Sequence, residues 1–274
     1  MGFLEQVTEH KLKELARRRR AKSLDELERE LKILRRPAKK GCQPIIYSPE
    51  ESDPPFANAL SKHGVTLIAE VKRASPARGW LARRILAEDL AAQYEKAGAR
   101  AVSVLTETAF FGGSLEDLKR VREQVRIPVL CKDFIIDPYQ IWEAALFGAD
   151  AVLLIVRLVG GRLQELLEAC AVAGVEALVE AHTLSEAEEA LRTGARLIAV
   201  NCRDLDTLKI FPERHLQLRP LLGSGILTVA ASGISDAKTV RRLLDAGYDG
   251  VLMGEALMTA PDPVAKINEL LISS

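Results

Sequence analysis

The sequence predicts an α/β fold, a (β/α)8 TIM barrel with an extra N-terminal helical segment. Three observations lead there. Short, wholly apolar runs recur along the chain, amphipathic stretches of helical period separate them, and glycine closes most of those stretches. A strand that is apolar throughout belongs in a sheet covered on both faces, and parallel strands need helical crossovers. Eight such repeats close into a barrel. An open doubly wound sheet would carry a G-x-G-x-x-G turn after its first strand, and none stands there.

Taken in order, residues 3–36 read as one helix. Leu4, Val7, Leu12 and Leu15, then Leu24, Leu27, Leu31 and Leu34, fall at helical spacing until Pro37 and Gly41 end the pattern. A proline-rich connector covers 37–55. The strand runs are Thr66–Val71, Ala101–Leu105, Val129–Lys132, Ala151–Val156, Ala177–Glu180, Leu197–Asn201, Leu227–Ala230 and Gly250–Met253. Helical patterns at Leu86–Ala97, Leu115–Gln124, Tyr139–Phe147, Leu163–Ala173, Ser185–Thr193 and Asp236–Ala246 lie between them. Gly98, Gly148, Gly174, Gly194 and Gly247 supply the stop that helix C-termini favour. The expected organisation is an N-terminal helix and connector, residues 1–55, packing on a catalytic barrel, residues 56–274, as one structural domain.

Composition narrows the partners. Lys plus Arg and Asp plus Glu both number 38 in 274 residues, so the formal net charge is zero. That balance offers no attraction for nucleic acid or a membrane surface. The run Arg17-Arg18-Arg19-Arg20 reads as a solvated helix face with i,i+4 partners, followed by the acidic stretch from Asp25 to Glu30. Cys42, Cys131, Cys170 and Cys202 form no C-x-x-C pair, which argues against zinc and against a disulfide framework and fits a reducing cytoplasm. No apolar run reaches the roughly 18 residues of a membrane span. The expected partner is a small molecule, and the expected state a monomer or weak oligomer.

Barrel chemistry sits at the C-terminal strand ends. The first strand ends in Glu70 and Lys72, two residues apart and so on one face. Later strands end in Thr106-Glu107, Lys132-Asp133-Phe134, Glu180, Asn201-Cys202-Arg203, Ala231-Ser232-Gly233 and Gly254-Glu255, while the fourth offers only apolar wall. Two lysines with two carboxylates and an arginine point to an anionic substrate and proton transfer. Gly233 and Gly254, in the loops after the last two strands, point to a phosphate cradle where backbone N–H groups approach an anion. His182 reads as a solvated loop histidine, and His10, His63 and His215 show no metal-ligand spacing.

These residues resemble a known family. Ile68-Ala69-Glu70-Val71-Lys72-Arg73-Ala74-Ser75-Pro76 is similar to the signature of indole-3-glycerol phosphate synthase, as are Pro128–Ile135, Gly148–Ile155, Leu178-Val179-Glu180, Asn201–Leu205 and Gly254–Met258, in order over about residues 56–262. The resemblance implies a carboxy-lyase of tryptophan biosynthesis, using neither metal nor organic cofactor. It would convert 1-(2-carboxyphenylamino)-1-deoxyribulose 5-phosphate to indole-3-glycerol phosphate, CO2 and water. On that resemblance Lys132 is the general acid of ring closure. Lys72 binds the anionic substrate and assists loss of the hydroxyl, and Glu180 and Glu70 take or relay protons. Asn201 and Arg203 orient the substrate, Ser75 and Phe134 line its aromatic end, and Ser232, Gly233, Gly254 and Glu255 belong to the phosphate site.

The chain departs from the family at the seventh strand, where Glu-Ser-Gly-Ile becomes Ala231-Ser232-Gly233-Ile234. A carboxylate facing the reacting centre is absent, which implies slower turnover. It leaves two alternatives: a divergent or inactivated paralogue taking a related phosphorylated aryl-amino sugar, or a non-catalytic subunit of a pathway assembly. Trp80 and Leu81–Leu86 also depart from the usual loop after the first strand, which implies a reshaped lid.

Overall fold

The computed structural model describes residues 2–34, 55–61, 64–82 and 85–272. Among the described residues three helices precede the barrel: α1 (Phe3–Ala21), α2 (Leu24–Leu34) and α3 (Pro55–Leu60). The single helix expected over 3–36 is therefore two, and Ser23 is the reason. Its hydroxyl accepts the Glu26 backbone N–H at 3.3 Å, and the Glu26 carboxylate takes the Ser23 N–H at 2.7 Å. This reciprocal capping box starts a new helix and so interrupts the old one. The expected stop at Pro37 and Gly41, the connector up to residue 54, Cys42 and His63 lie outside the described residues.

The barrel strands are β1 (Thr66–Val71), β2 (Ala101–Leu105), β3 (Val129–Lys132), β4 (Ala151–Ile155), β5 (Glu176–Ala181), β6 (Leu197–Asn201), β7 (Leu227–Ala231) and β8 (Gly250–Met253). Each pairs in parallel with its sequence neighbours, and β8 pairs with β1, so the ring closes without an edge. Expected and observed strand ends agree to within one residue; Val156 opens the next helix instead of closing β4. The helices are α4 (Ala87–Lys96), α5 (Leu115–Gln124), α6 (Pro138–Leu146), α7 (Val156–Val159), α8 (Leu163–Ala173), α9 (Leu184–Arg192), α10 (Glu213–Leu218), α11 (Ala237–Asp245), α12 (Glu255–Met258) and α13 (Pro263–Ile272). The loop after β1 folds into a small hairpin, Ala74–Ser75 against Gly79–Trp80. Among the described residues no helix is long and apolar enough to cross a membrane.

Strand alternation divides the core into two layers. Val71, Val102, Val104 and Leu154 belong to an outer layer that also holds helix residues such as Leu118 and Leu166. Ile68, Leu130, Leu153, Leu178, Ala199, Val229 and Leu252 fill the barrel itself. Phe56 and Leu60 of α3 join this inner cluster. Position 250 must be glycine, because a Cβ there would meet Leu60 Cδ2 at 2.8 Å and the Thr66 carbonyl at 2.9 Å. Glu176 anchors α3 by accepting the backbone N–H groups of Phe56 at 2.6 Å and Ala57 at 2.9 Å. Burial nevertheless pushes its carboxyl up to about 7.

At the opposite end α1 docks through buried charge. Lys11 is 1 % exposed, with its Nζ 2.7 Å from Asp133 and 3.1 Å from Glu14. Burial disfavours its charge, but Asp133 and Glu14 more than offset that and raise its pKa. Arg18 bridges Glu14 and Glu143, and Arg19 pairs with Asp137. The arginine run is thus not a uniformly solvated face: Arg17 and Arg20 are exposed, while Arg18 ties α1 to α6. Asp133 also accepts from Thr106 Oγ1 at 2.8 Å and from the Phe134 N–H at 2.7 Å, so this network reaches the end of β3.

Removing one partner of a buried pair leaves the other charge uncompensated, so Lys11→Ala is expected to lower unfolding free energy by about 3 kcal/mol, read from urea denaturation. Glu176 gives a pH dependence. Its carboxyl titrates near 4.5 when unfolded and about 7 when folded, so the native state binds more protons between those values. The stability it contributes is present below this window and is lost as pH rises through it. The urea midpoint of the parent is expected to fall between pH 5 and 8 relative to that of Glu176→Gln.

Candidate active site

The inward parity of each strand runs off its C-terminal end into one cavity of about 480 Å³. Ile68 leads to Glu70, Leu130 to Lys132, Leu178 to Glu180, Ala199 to Asn201, and Val229 to Ala231. All twelve residues expected at the site line this cavity: Glu70, Lys72, Ser75, Lys132, Phe134, Glu180, Asn201, Arg203, Ser232, Gly233, Gly254 and Glu255. Glu107, also at a strand end, instead turns back to accept the N–H groups of Ala109, Phe110 and Phe111 and shapes the loop after β2.

Glu70 and Lys72 do share a face, and Lys72 Nζ lies 2.9 Å from Glu70 Oε1. Burial alone would raise the Glu70 carboxyl; Lys72, Lys132 and Arg203 reverse that and hold it below the ordinary carboxylate range. Gly254 makes this packing possible, since a Cβ there would meet Glu70 Oε1 at 2.3 Å. Lys132 Nζ lies 3.8 Å from Glu180 Oε2. Neither Glu180 oxygen has a hydrogen bond among the described residues, although the side chain is only 1 % exposed. A buried carboxylate without hydrogen bonds is costly for folding and available for proton exchange.

The opposite rim carries the glycines. Ser232 and Gly233 both have positive φ, 68° and 69°. That conformation is costly at serine and points to a loop shaped for a purpose other than stability. A Cβ on Gly233 would meet Ile210 Cγ2 at 2.8 Å and Cys202 Sγ at 3.1 Å. Cys202 turns away from the cavity; its thiol donates to the Ser232 carbonyl at 3.2 Å, and burial pushes it up to about 11. His215 Nε2 donates to the Ala231 carbonyl at 3.0 Å and braces the same strand end from outside. Asn201 Oδ1 accepts the Arg203 N–H at 3.0 Å. Glu255 lies between two guanidiniums, Arg78 at 2.8 Å and Arg203 at 3.3 Å.

Sequence reasoning missed four residues. Phe3 of α1 and Phe111 of the β2 loop line the cavity beside Phe134. Phe3 stands 6.2 Å from Phe134, and Phe111 6.1 Å, between ring centroids, so together they make an aromatic wall. Arg78 reaches over from the hairpin. His182 is not a solvated loop residue: it is 3 % exposed and sits between Glu180 and Glu186, at 3.4 Å and 3.3 Å. The available signal was the Thr183-x-x-Glu186 helix start, in which Thr183 caps α9 and the Glu186 carboxylate reaches back to the His182 N–H.

Fold and mouth define a barrel enzyme of acid–base chemistry on an anionic small molecule. The chain belongs to the indole-3-glycerol phosphate synthase family, whose profile matches residues 4–270. Two synthases show the likeness at high identity. That of Carboxydothermus hydrogenoformans is 50 % identical over 216 residues, 78 % of this chain and 81 % of the relative. That of Mycolicibacterium gilvum is 48 % identical over 214 residues, 78 % and 79 % of the two chains. Solved structures share the fold alone. A thiamine phosphate pyrophosphorylase from Pyrococcus furiosus superposes with TM-score 0.60 at 20 % identity, covering 80 % of this chain and 96 % of that one. A 3-hexulose-6-phosphate synthase gives 0.62 at 17 %, covering 76 % and 99 %.

Gly254→Ala tests the packing of Glu70. A methyl group there displaces the carboxylate from Lys72, so kcat/KM for synthase turnover is expected to fall about tenfold or more while far-UV circular dichroism is unchanged.

Proposed function

We propose that the chain acts as an indole-3-glycerol phosphate synthase on 1-(2-carboxyphenylamino)-1-deoxyribulose 5-phosphate. The observation that carries this reading is the meeting of Lys72, Lys132, Glu70 and Glu180 in one cavity between an aromatic wall and a glycine-rich rim. The substrate has the matching order: an aryl carboxylate, a ketone at the centre, a phosphate at the far end. Phe3, Phe111 and Phe134 would take the ring. The backbone N–H groups around Ser232, Gly233 and Gly254 would take the phosphate. Glu255 would serve that site through its backbone, because its carboxylate is held by Arg78 and Arg203. Asn201, Arg203 and Ser75 would hold the polar groups between.

Chemistry follows from proton positions. The ring carbon bearing the carboxylate bonds to the ketone carbon, and Lys132 gives a proton to the ketone oxygen. The bond to the carboxylate breaks, its electron pair returns to the ring, and CO2 leaves. Lys72, paired with Glu70, protonates the new hydroxyl, which departs as water while Glu180 removes a proton from the neighbouring carbon, so that the new five-membered ring becomes aromatic. Lys72, Lys132, Glu70 and Glu180 in one cavity support turnover over the alternatives of an inactivated paralogue or a non-catalytic subunit. Ala231 lines the cavity where the family carries a carboxylate, which supports a slow version of the same reaction.

Purified protein with the carboxyphenylamino substrate is expected to develop indole fluorescence, and Lys132→Ala to lose about 100-fold or more in kcat. No fluorescence from the parent protein would overturn this reading. Ala231→Glu is expected to raise kcat about tenfold, with KM rising as well, because it returns a carboxylate beside the reacting centre and adds negative charge facing an anionic substrate.

A further inference from the structure

His182 is a buried titratable group that this reaction leaves unused. It follows Glu180 by two residues and stands behind it, outside the cavity wall. Its Nε2 lies 3.4 Å from Glu180 Oε1 and its Nδ1 3.3 Å from Glu186 Oε2. The same Glu186 oxygen accepts the His182 backbone N–H at 2.7 Å. Thr183 caps α9 by accepting the Glu186 N–H at 3.3 Å. The helix cap thus fixes Glu186, and one Glu186 oxygen holds His182 at both its backbone N–H and its ring Nδ1. Nε2 and both Glu180 oxygens have no hydrogen bond among the described residues.

These contacts dictate where protons sit. Burial would raise the Glu186 carboxyl, but hydrogen bonds from His182 hold it below the ordinary range, so it is ionised and accepts. Nδ1 therefore carries a proton. In a neutral ring Nε2 is then bare. A bare Nε2 against an ionised Glu180 would oppose two lone pairs in a buried gap, so for Glu180 to act as a base one proton occupies that gap on Nε2. Arg157, on the adjoining α7, is turned toward Asp204 and Asp206. The described charged groups within reach of this gap are Glu180, Glu186 and, on the far oxygen of Glu180, Lys132.

We propose that His182, clamped by Glu186, is a positioning residue for Glu180: it holds the shared proton, orients the carboxylate, and leaves Oε2 on the Lys132 side free to exchange a proton with the substrate. The gap proton is neither made nor consumed in turnover. The proton that Oε2 takes from the intermediate leaves for solvent before the next cycle. The inference rests on the role given to Glu180 above.

His182→Leu, His182→Gln and Glu186→Gln test it, each checked for fold by thermal melting. With His182→Leu, kcat is expected to fall about 10- to 100-fold with KM changed less than about threefold, and one limb of the kcat–pH profile to move. Glu186→Gln is expected to move the same limb by less. His182→Gln, which keeps an N–H toward Glu180 without titrating, recovers part of kcat. Unchanged kcat, or a loss with an unmoved pH profile and no advantage of Gln over Leu, would overturn the proposal. A second measurement needs neither turnover nor the His182 variants. In ¹⁵N-histidine-labelled parent protein, assigned through the backbone, His182 is expected to show a protonated Nδ1 from pH 6 to 8. A bare Nδ1 refutes the clamp whether or not substrate is turned over. A protein that shows the clamp but no turnover overturns only the assigned reaction.

Discussion

Glu70, Lys132 and Glu180 stand on the inner faces of barrel strands, where charge is expensive unless it is paired. That constraint organises the rest. Glu70 is 3 % exposed and leaves β1 between apolar neighbours, so its ionised form exists only because Lys72 and Lys132 face it. Its carboxylate fits only because position 254 has no side chain. The same inner face holds the apolar layer that stabilises the barrel. A sequence change that shifts register by one residue would therefore turn both the core and the chemistry outward together.

The N-terminal helix extends this logic beyond the barrel. Phe3 completes the aromatic wall, and its place depends on the buried contacts of Lys11 and Arg18 further along α1. Asp133, which receives Lys11, lies directly between Lys132 and Phe134 in sequence and accepts the Phe134 N–H. Docking of α1 and geometry of the acid at β3 are thus one network. Buried ion pairs gain less stability than their Coulomb energy suggests, but their directionality fixes orientation. Here that orientation sets the distance between an aromatic ring and a lysine that face the same substrate.

The barrel and its polar strand ends were legible in the sequence because both follow from short-range rules, while the choice of the twelve site residues, Ser75 among them, came from the family resemblance. An apolar run of five residues with a glycine-stopped helix after it reads as a βα unit, and the polar residue that ends the run marks the mouth. What escaped was set by contacts distant in sequence or by caps read as ordinary turns. Phe3 gains its role only when α1 folds over β3. Arg18 looked solvated until Glu143, 125 residues away, closed on it. His182 looked like a loop residue because its burial depends on Glu186 turning back through the α9 cap. Ser23 broke the first helix through a capping box with Glu26.

Ala231 shows what the site gives up and what it keeps. The mouth retains Lys72, Lys132, Arg203 and Arg78 against Glu70, Glu180 and Glu255. A substrate with both a carboxylate and a phosphate is drawn to such a surplus of positive charge, and losing a carboxylate at 231 increases the attraction. Attraction to the ground state does not lower the barrier, however; only interactions that strengthen as protons move do so. The family's strand-7 carboxylate faces the reacting centre, whereas Glu70 is committed to Lys72 and Glu180 is backed by His182. With alanine in that place, proton removal falls on Glu180 alone. On the reaction proposed above, such a site holds its substrate well and converts it slowly, and the imidazole behind Glu180 then bears on the one carboxylate left to remove the proton.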